Sequence, residues 1–409
     1  MEDKSLKSLF SIPVIVAALG YFVDIYDLLL FSIVRRPSLV GLGIPEDQLF
    51  DKGEFLLQIQ MTGLLVGGII WGIMGDKKGR LSVLFGSILL YSLSNIANGF
   101  VTTVNQYAAL RFIAGVGLAG ELGAGITLVS EILSARMRGY GTMVVATVGL
   151  LGAVVANFVA KKFDWQVAYF IGGGLGLLLL IARVSVFESG IFLELKKKEE
   201  NISRGNFFML FSKKKRLVKF LGCILIGLPI WYVIGVLITF SPEFAKQLGV
   251  EGIVAGDAVM YSYIGLTVGG LLSGLISQAV RSRKKVVLIF VLLTLAFVLH
   301  FIYLPFHSTV YFYVACFLLG VGTGYWAVFV TIAAEQFGTN LRSTAATTTP
   351  NFIRGTVVPI TLSFKYLRSG MGILNGALVV GLITIAIALI ALRAIDETYG
   401  RDLNFLEES

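Results

Sequence analysis

Residues 188–216, ESGIFLELKKKEENISRGNFFMLFSKKKR, are the longest polar interruption in a chain that is otherwise a succession of apolar runs. Six runs precede it and six follow, at about 10–34, 55–74, 81–100, 104–133, 140–160, 165–187, 217–241, 256–280, 285–304, 310–335, 344–366 and 371–394. Each approaches the roughly 20 residues that a helix needs to cross a bilayer. Membrane-spanning strands alternate apolar and polar residues over about ten positions, and these runs do not. The expectation is an all-α polytopic membrane protein of twelve transmembrane helices. The interruption divides it into an N-terminal six-helix bundle over 1–187, a cytoplasmic linker over 188–216 and a C-terminal six-helix bundle with its tail over 217–409. Inside the linker, Phe207, Phe208, Leu210 and Phe211 beside Lys213 to Arg216 read either as an amphipathic turn at the lipid interface or as a solvated basic loop.

Composition and charge agree with this reading. Of 409 residues, 56% are hydrophobic and only 14% charged, whereas soluble domains carry about 25% charged residues; a water-soluble enzyme and a disordered chain are both excluded. The net charge of +9 would suit a nucleic-acid partner, but its distribution points to a membrane. With the N-terminus inside, 23 of the 34 Lys and Arg residues fall on the cytoplasmic side, 8 in the outer loops, and three, Arg111, Arg183 and Arg354, within helices. Basic residues concentrate on the cytoplasmic side of membrane proteins, which places both termini in the cytoplasm of a cell-membrane protein with no nucleic-acid partner. The first 22 residues have no small-residue cleavage site and read as a retained first helix. Cys223 and Cys316 both lie in apolar runs and offer neither a disulfide framework nor a metal site.

The halves repeat one another. Gly68-x-x-x-Gly72 recurs as Gly270-x-x-x-Gly274, Arg111-x-x-x-Gly115-x-Gly117 as Cys316-x-x-x-Gly320-x-Gly322, and Glu131 with Arg138 as Glu335 with Arg342, all at offsets of 202 to 205 residues. Parallel repeats related by an axis along the membrane normal are a transporter architecture, with the site between the halves near the midplane.

These stretches resemble a known family. Gly72-Ile-Met-Gly-Asp76-Lys-Lys-Gly79-Arg80 is similar to the loop signature of the major facilitator superfamily, with Leu81 where a second basic residue is usual. Arg111-Phe-Ile-Ala-Gly115-Val-Gly117-Leu-Ala-Gly120-Glu121 resembles its fourth-helix signature, Glu131 with Ala135-Arg-Met-Arg138-Gly139 its sugar and metabolite symporters, and Tyr21-Phe-Val-Asp24-Ile-Tyr-Asp27 the acidic first helix of its proton-coupled metabolite and phosphate symporters. The resemblance spans the chain and implies two pseudo-symmetric six-helix bundles that expose a central site to each side in turn. The second-half loop, Gln278-Ala-Val-Arg-Ser-Arg-Lys, lacks the acidic residue, so a latch there is weaker or differently built. In the first half, Gly72 and Gly79 allow a tight turn, and Asp76, Arg80, Glu131 and Arg138 form either an ion-pair latch that breaks during transport or solvated surface pairs. By the internal repeat, Glu335 and Arg342 are the second-half counterparts.

Ionisable residues deep in a membrane are functional candidates. Asp24 and Asp27, three apart on the first helix, share a face, and a carboxylate pair in a dry cavity can hold a proton; the alternative is pairing with a basic residue. The resemblance implies that Arg111 tunes protonation of a nearby acid, while Glu121 joins the proton site or contacts substrate. Arg354 lies about 15 Å into its helix, and its planar fork suits a carboxylate or phosphate: it binds an anionic substrate, with Asn351 as a hydrogen-bonding neighbour, or it pairs with Asp24 or Glu121. Trp231, Tyr325 and Trp326 line a cleft or simply pack.

The expected function is proton-coupled secondary transport of a small organic anion, by one chain acting alone, with the proton gradient as energy source and no cofactor or metal. There is no G-x-x-x-x-G-K-[ST] phosphate loop and no catalytic constellation on one helix face, which argues against a pump and an enzyme. The fifth segment, Gly149-Leu-Leu-Gly152-Ala-Val-Val, lacks the glycine-proline signature of drug antiporters. Alternatives are an organic cation or metal ion held by the first-helix acids, and a neutral sugar.

Overall fold

The computed structural model describes residues 11–78, 80–121, 133, 138–187, 207–303, 308–401 and 407, and their side chains except at 13, 75–78, 80–82, 138–140, 142–143, 185–187, 339–340 and 342–343. Six helices make the first half: α1 (Ile12–Gly41), α2 (Leu49–Lys78), α3 (Arg80–Asn98), α4 (Val104–Leu118), α5 (Arg138–Lys162) and α6 (Trp165–Phe187). In the second half, α7 comprises Lys214–Leu225, Leu228–Tyr232 and a π-helical turn, Val233–Ile238. It is followed by α8 (Ala255–Val280), α9 (Arg283–Tyr303) and α10 (Thr309–Gly322 continued by Trp326–Glu335). Helix α11 runs from Thr339–Gly355 into 357–371, and Gly372, at φ 82°, turns the run Val357–Ala394 back to form α12 over 373–394. Only a residue without Cβ adopts that φ without strain. Among the described residues, nine helices are long and apolar enough by themselves to cross a membrane. One of the nine, Thr344–Ala394, is the α11–α12 hairpin, and the shorter α3 and α4 complete the twelve spans.

Side-chain caps and proline set several helix starts. Thr103 accepts a hydrogen bond from the Gln106 amide at α4, and Ser308 accepts from the Tyr311 amide at α10; each satisfies one otherwise unpaired first-turn donor. The two caps stand at equivalent positions of the repeat. So do two breaks, at Ala119–Gly120 after α4 and at Thr323–Tyr325 inside α10.

Within each half, glycine lets backbones touch. A Cβ on Gly63 or Gly67 of α2 would run into the carbonyls of Phe112 or Val116 on α4, and one on Gly265 or Gly269 of α8 into those of Phe317 or Val321 on α10. Close approach of this kind maximises packing where lipid supplies no hydrophobic drive between helices. The halves meet along α2 with α11 and α5 with α8. Gly68 and Gly72 serve this seam, facing Asn351 and Thr348 of α11, whereas Gly274 has nothing within 4 Å.

One end of the bundle carries Lys213–Arg216, Arg283–Lys285 and the C-terminal segment, and is here termed the basic end; the other is the opposite end. Residues 188–206 of the expected linker lie outside the described residues. Its remainder forms the turn Met209–Ser212, with Leu210 and Phe207 buried and Phe207 packed toward Phe352 of α11 at 6.3 Å, while Phe208 and Phe211 face outward.

Candidate substrate and proton site

Helix α1 crosses the middle of the molecule buried on nearly every side, which is why its two carboxylates matter. Asp24 and Asp27 are both fully buried. They do not form a shared carboxylate pair. Asp24 faces the second half, where Arg354 Nη2 donates to its Oδ2 at 3.3 Å. Asp27 points into its own bundle, against Gly172 of α6 and within electrostatic reach of Arg111. Arg111 in turn donates to Asn95 Oδ1 at 2.6 Å and lies over the Tyr169 ring at 4.7 Å. Of the two roles open to Arg354, the structure displays the ion pair with Asp24.

That pair is incompletely satisfied. Asp24 Oδ1 and Arg354 Nε and Nη1 are buried without a hydrogen-bond partner among the described residues. Buried polar groups are nearly always paired, so this guanidinium retains donors for a further acceptor. Trp231 of α7 lies 5.8 Å from the Arg354 guanidinium carbon and meets Trp326 edge to face at 6.3 Å; its indole Nε1 is also buried and unpartnered. The breaks in α7 and α10 bring these rings inward. Pi-helical turns such as Val233–Ile238 recur at functional sites.

Two expected ligand residues have other partners. Asn351 donates its amide to the carbonyls of Ala119, at 2.6 Å, and Thr347, at 3.1 Å, tying α11 to the break after α4. The Tyr325 hydroxyl donates to the Ile226 carbonyl at 2.9 Å and holds the break in α10 against the break in α7.

Glu121 gives a role to Arg183, the third basic residue that the sequence places within a helix. Arg183 of α6 holds both its carboxylate oxygens, beside Gly20 of α1, where a Cβ would collide with the pair. The buried acids Asp24, Asp27 and Glu121 are thus matched by Arg111, Arg183 and Arg354. The position of Arg183 inside an unbroken apolar run was the available signal.

At the basic end, Glu335 receives two hydrogen bonds from Arg283, at 2.6 and 2.8 Å. The acid missing from the second-half loop comes from beyond α12: Glu397 accepts from the Ser282 hydroxyl and from the amides of Arg283, at 2.9 Å, and Lys284, at 3.2 Å. Burial alone would raise the Glu397 carboxyl, but the hydrogen bonds from Ser282 and from the amides of Arg283, Tyr399 and Lys284 outweigh it and bring it down to about 2. In the first-half latch, Gly79 and Glu131, with the side chains of Asp76, Arg80 and Arg138, lie outside the described residues, as does the Arg342 side chain.

Ion pairs between halves close the opposite end, among them Arg36 with Glu243 and Lys365 with Asp51. Arg35 of α1 pairs with Glu243, Arg368 of α11 with Asp51 and Glu54 of α2, and Lys161 of α5 with Asp257 of α8. Arg35 was expected in a loop, but α1 continues past it to Gly41, and it is fully buried.

Twelve spans, repeated breaks and a buried ion pair between halves are features of one transporter architecture, and the sequence profile described as Major Facilitator Superfamily matches residues 17–359. The chain belongs to the major facilitator superfamily. As a member of that superfamily it is an integral membrane transporter and not an enzyme. It is 25% identical over 288 residues to the sialic acid transporter NanX of Escherichia coli, covering 69% of this chain and 67% of that protein. It is 30% identical over 164 residues to the niacin transporter NiaP of Acinetobacter baylyi, covering 39% of this chain and 36% of that one. The solved structure of the proton:xylose symporter XylE superposes with a TM-score of 0.71 over 98% of each chain at 17% identity, which establishes the shared major facilitator fold.

Proposed function

We propose that this transporter carries a small organic carboxylate together with a proton, and that the Asp24–Arg354 pair couples the two. The observation that supports the reading is this buried ion pair, at mid-depth, with one partner on each half. Protonation of Asp24 releases Arg354, and the released guanidinium takes the substrate carboxylate in its place. The empty pair and the doubly loaded site are both neutral. Loading only the proton or only the anion leaves a net charge that is costly to bury. Closure of both ends is therefore easiest when both or neither are bound, which is the condition for symport. Trp231 and Trp326 suit a carboxylate with a planar or ring-bearing body, and sialic acid and niacin, carried by the named relatives, are both carboxylic acids of that kind. The distribution of basic residues supports a basic end in the cytoplasm, and the described site residues come from one chain, which supports a transporter acting alone.

Proteoliposomes with an inward proton gradient provide the test, using benzoate, nicotinate and N-acetylneuraminate as probes. Wild type is expected to accumulate at least one of them. Asp24→Asn is expected to exchange that acid across the membrane without accumulating it, and Arg354→Ala to lose its binding. Full accumulation by Asp24→Asn overturns the assignment.

A further inference from the structure

Arg35 lies eleven residues beyond Asp24 on α1, which is about three turns and roughly 16 Å along almost the same face. It therefore stands on the stripe that leads from the opposite end down to the Asp24–Arg354 pair. Its Nη2 donates to both oxygens of Glu243, at 2.7 and 2.8 Å, and the guanidinium sits 4.7 Å from the Phe240 ring. Nε and Nη1 are buried without a partner among the described residues. A carboxylate that engages a guanidinium fully bridges two of its nitrogens; Glu243 engages one, so both bidentate edges of Arg35 remain incomplete.

The two partners belong to different halves, Arg35 to α1 and Glu243 to the turn of helix Ser241–Gln247 that follows α7. Any motion that opens the opposite end carries Glu243 away. The neighbouring Arg36 also reaches Glu243, at 3.6 Å, but it keeps an acid from its own half, Glu46 at 3.3 Å, when that happens. Among the described residues Arg35 has no such substitute: Glu243 is the acid paired with it. Opening thus uncovers a desolvated guanidinium at the mouth of the pathway. Closure does not depend on it alone, because Arg368 with Asp51 and Glu54, and Lys161 with Asp257, hold the same end.

We propose that Arg35 is the first binding site for the carboxylate of a substrate arriving from the opposite end, and that Glu243 is the chain's own carboxylate, which takes the substrate's place once that end has closed. The proposal rests on the reading of this transporter as a carboxylate carrier with its basic end in the cytoplasm. Glu243, which also touches Arg36, competes with the incoming anion for the Arg35 guanidinium, so the anion is held loosely enough to move on to Arg354. A closure role alone makes a different forecast. If the pair only holds the end shut, removing either partner opens it, and the two variants behave alike.

The test is the substrate concentration for half-maximal initial uptake into right-side-out vesicles, measured with nicotinate, benzoate and N-acetylneuraminate. Losing a hydrogen-bonded charge from a binding site is expected to raise the external KM in Arg35→Gln by about tenfold. Glu243→Gln is expected to lower it, and Arg35→Lys, which keeps charge without the fork, to fall between wild type and Arg35→Gln. The KM for efflux, measured from the cytoplasmic face, is expected to stay at the wild-type value in all three. A shift in the same direction for Arg35→Gln and Glu243→Gln, or an equal effect at both faces, overturns the proposal. Where Arg35→Gln does not reach the membrane, the sign of the Glu243→Gln shift decides alone. If wild type moves none of the three acids, the carboxylate reading falls and takes this inference with it; if it moves one and the signs are wrong, only this inference falls.

Discussion

Arg354 and Asp24 are 330 positions apart in sequence and 3.3 Å apart in space, and each is the other's charge partner in a fully buried setting. Removing one partner of such a pair leaves an uncompensated charge, at a cost of about 3–5 kcal/mol. Arg354→Gln is therefore expected to lower thermal stability strongly, and the Asp24→Asn/Arg354→Gln double variant to recover most of the loss. In Asp24→Asn alone, a bound carboxylate replaces the missing partner. Nicotinate or another transported acid should then stabilise this variant more than it stabilises wild type, and equal or smaller stabilisation would count against Arg354 as the ligand residue.

The same logic applies to Arg183 and Glu121, with a geometric refinement. The pair is packed against Gly20, so Gly20→Ala should break it by collision while leaving both charges in place. Arg183→Gln is expected to destabilise by about 3–5 kcal/mol, as for any broken buried pair, and Glu121→Gln/Arg183→Gln to be milder than Arg183→Gln. Thermal unfolding in detergent measures all three. A double variant as unstable as Arg183→Gln would show that the two side chains are independent.

The fold was legible because a twelve-fold run of apolar residues and a polar interruption admit few arrangements. Asp24, Asp27, Glu121, Arg111 and Arg354 were legible as well, since a charge in an apolar run announces itself. Their pairing was legible only as alternatives, with Asp24 one of two acids open to Arg354. Helical spacing puts Asp24 and Asp27 on one face, and only the packing of α1 between its own bundle and the second half sends one toward Arg354 and the other toward Arg111. Arg35 escaped notice because a basic residue near the end of a run reads as a loop residue, and helix ends are poorly marked where the sequence continues with Pro37 inside the helix. Glu397 lies beyond α12, far in sequence from the loop it completes.

Glycine placement offers a contrast that sequence spacing alone gets wrong. The repeated Gly270-x-x-x-Gly274 pattern looks like the contact motif of α8, yet the close approach to α10 falls on Gly265 and Gly269. Gly269→Ala forces a Cβ against the Val321 carbonyl, and overpacking of this kind costs about 1–3 kcal/mol. Gly274→Ala meets nothing within 4 Å, and replacing glycine inside a helix gains roughly 0.5–1 kcal/mol. The two variants should move the unfolding temperature in opposite directions. A loss of stability in both would mean that Gly274 faces a contact after all.

Glu397 predicts a pH dependence confined to the basic end. Its carboxyl is held at about 2, against an ordinary value of 4.5, by hydrogen bonds that its charged form accepts. A folded-state value below the unfolded one contributes stability that is fully present above 4.5 and is lost as pH falls toward 2. Asp396, lowered chiefly by its hydrogen bond with Lys219, acts in the same direction. Wild type should therefore lose more stability between pH 5 and pH 2 than Glu397→Gln, whose side chain cannot ionise, because these values span the window from the ordinary 4.5 down to the folded-state value of about 2. The comparison of unfolding temperatures must be made as a difference between the two proteins, because other carboxylates titrate in the same range. Parallel curves would remove Glu397 from the hold on the α8–α9 loop, and a larger drop in wild type would establish that the tail supplies the carboxylate this loop lacks.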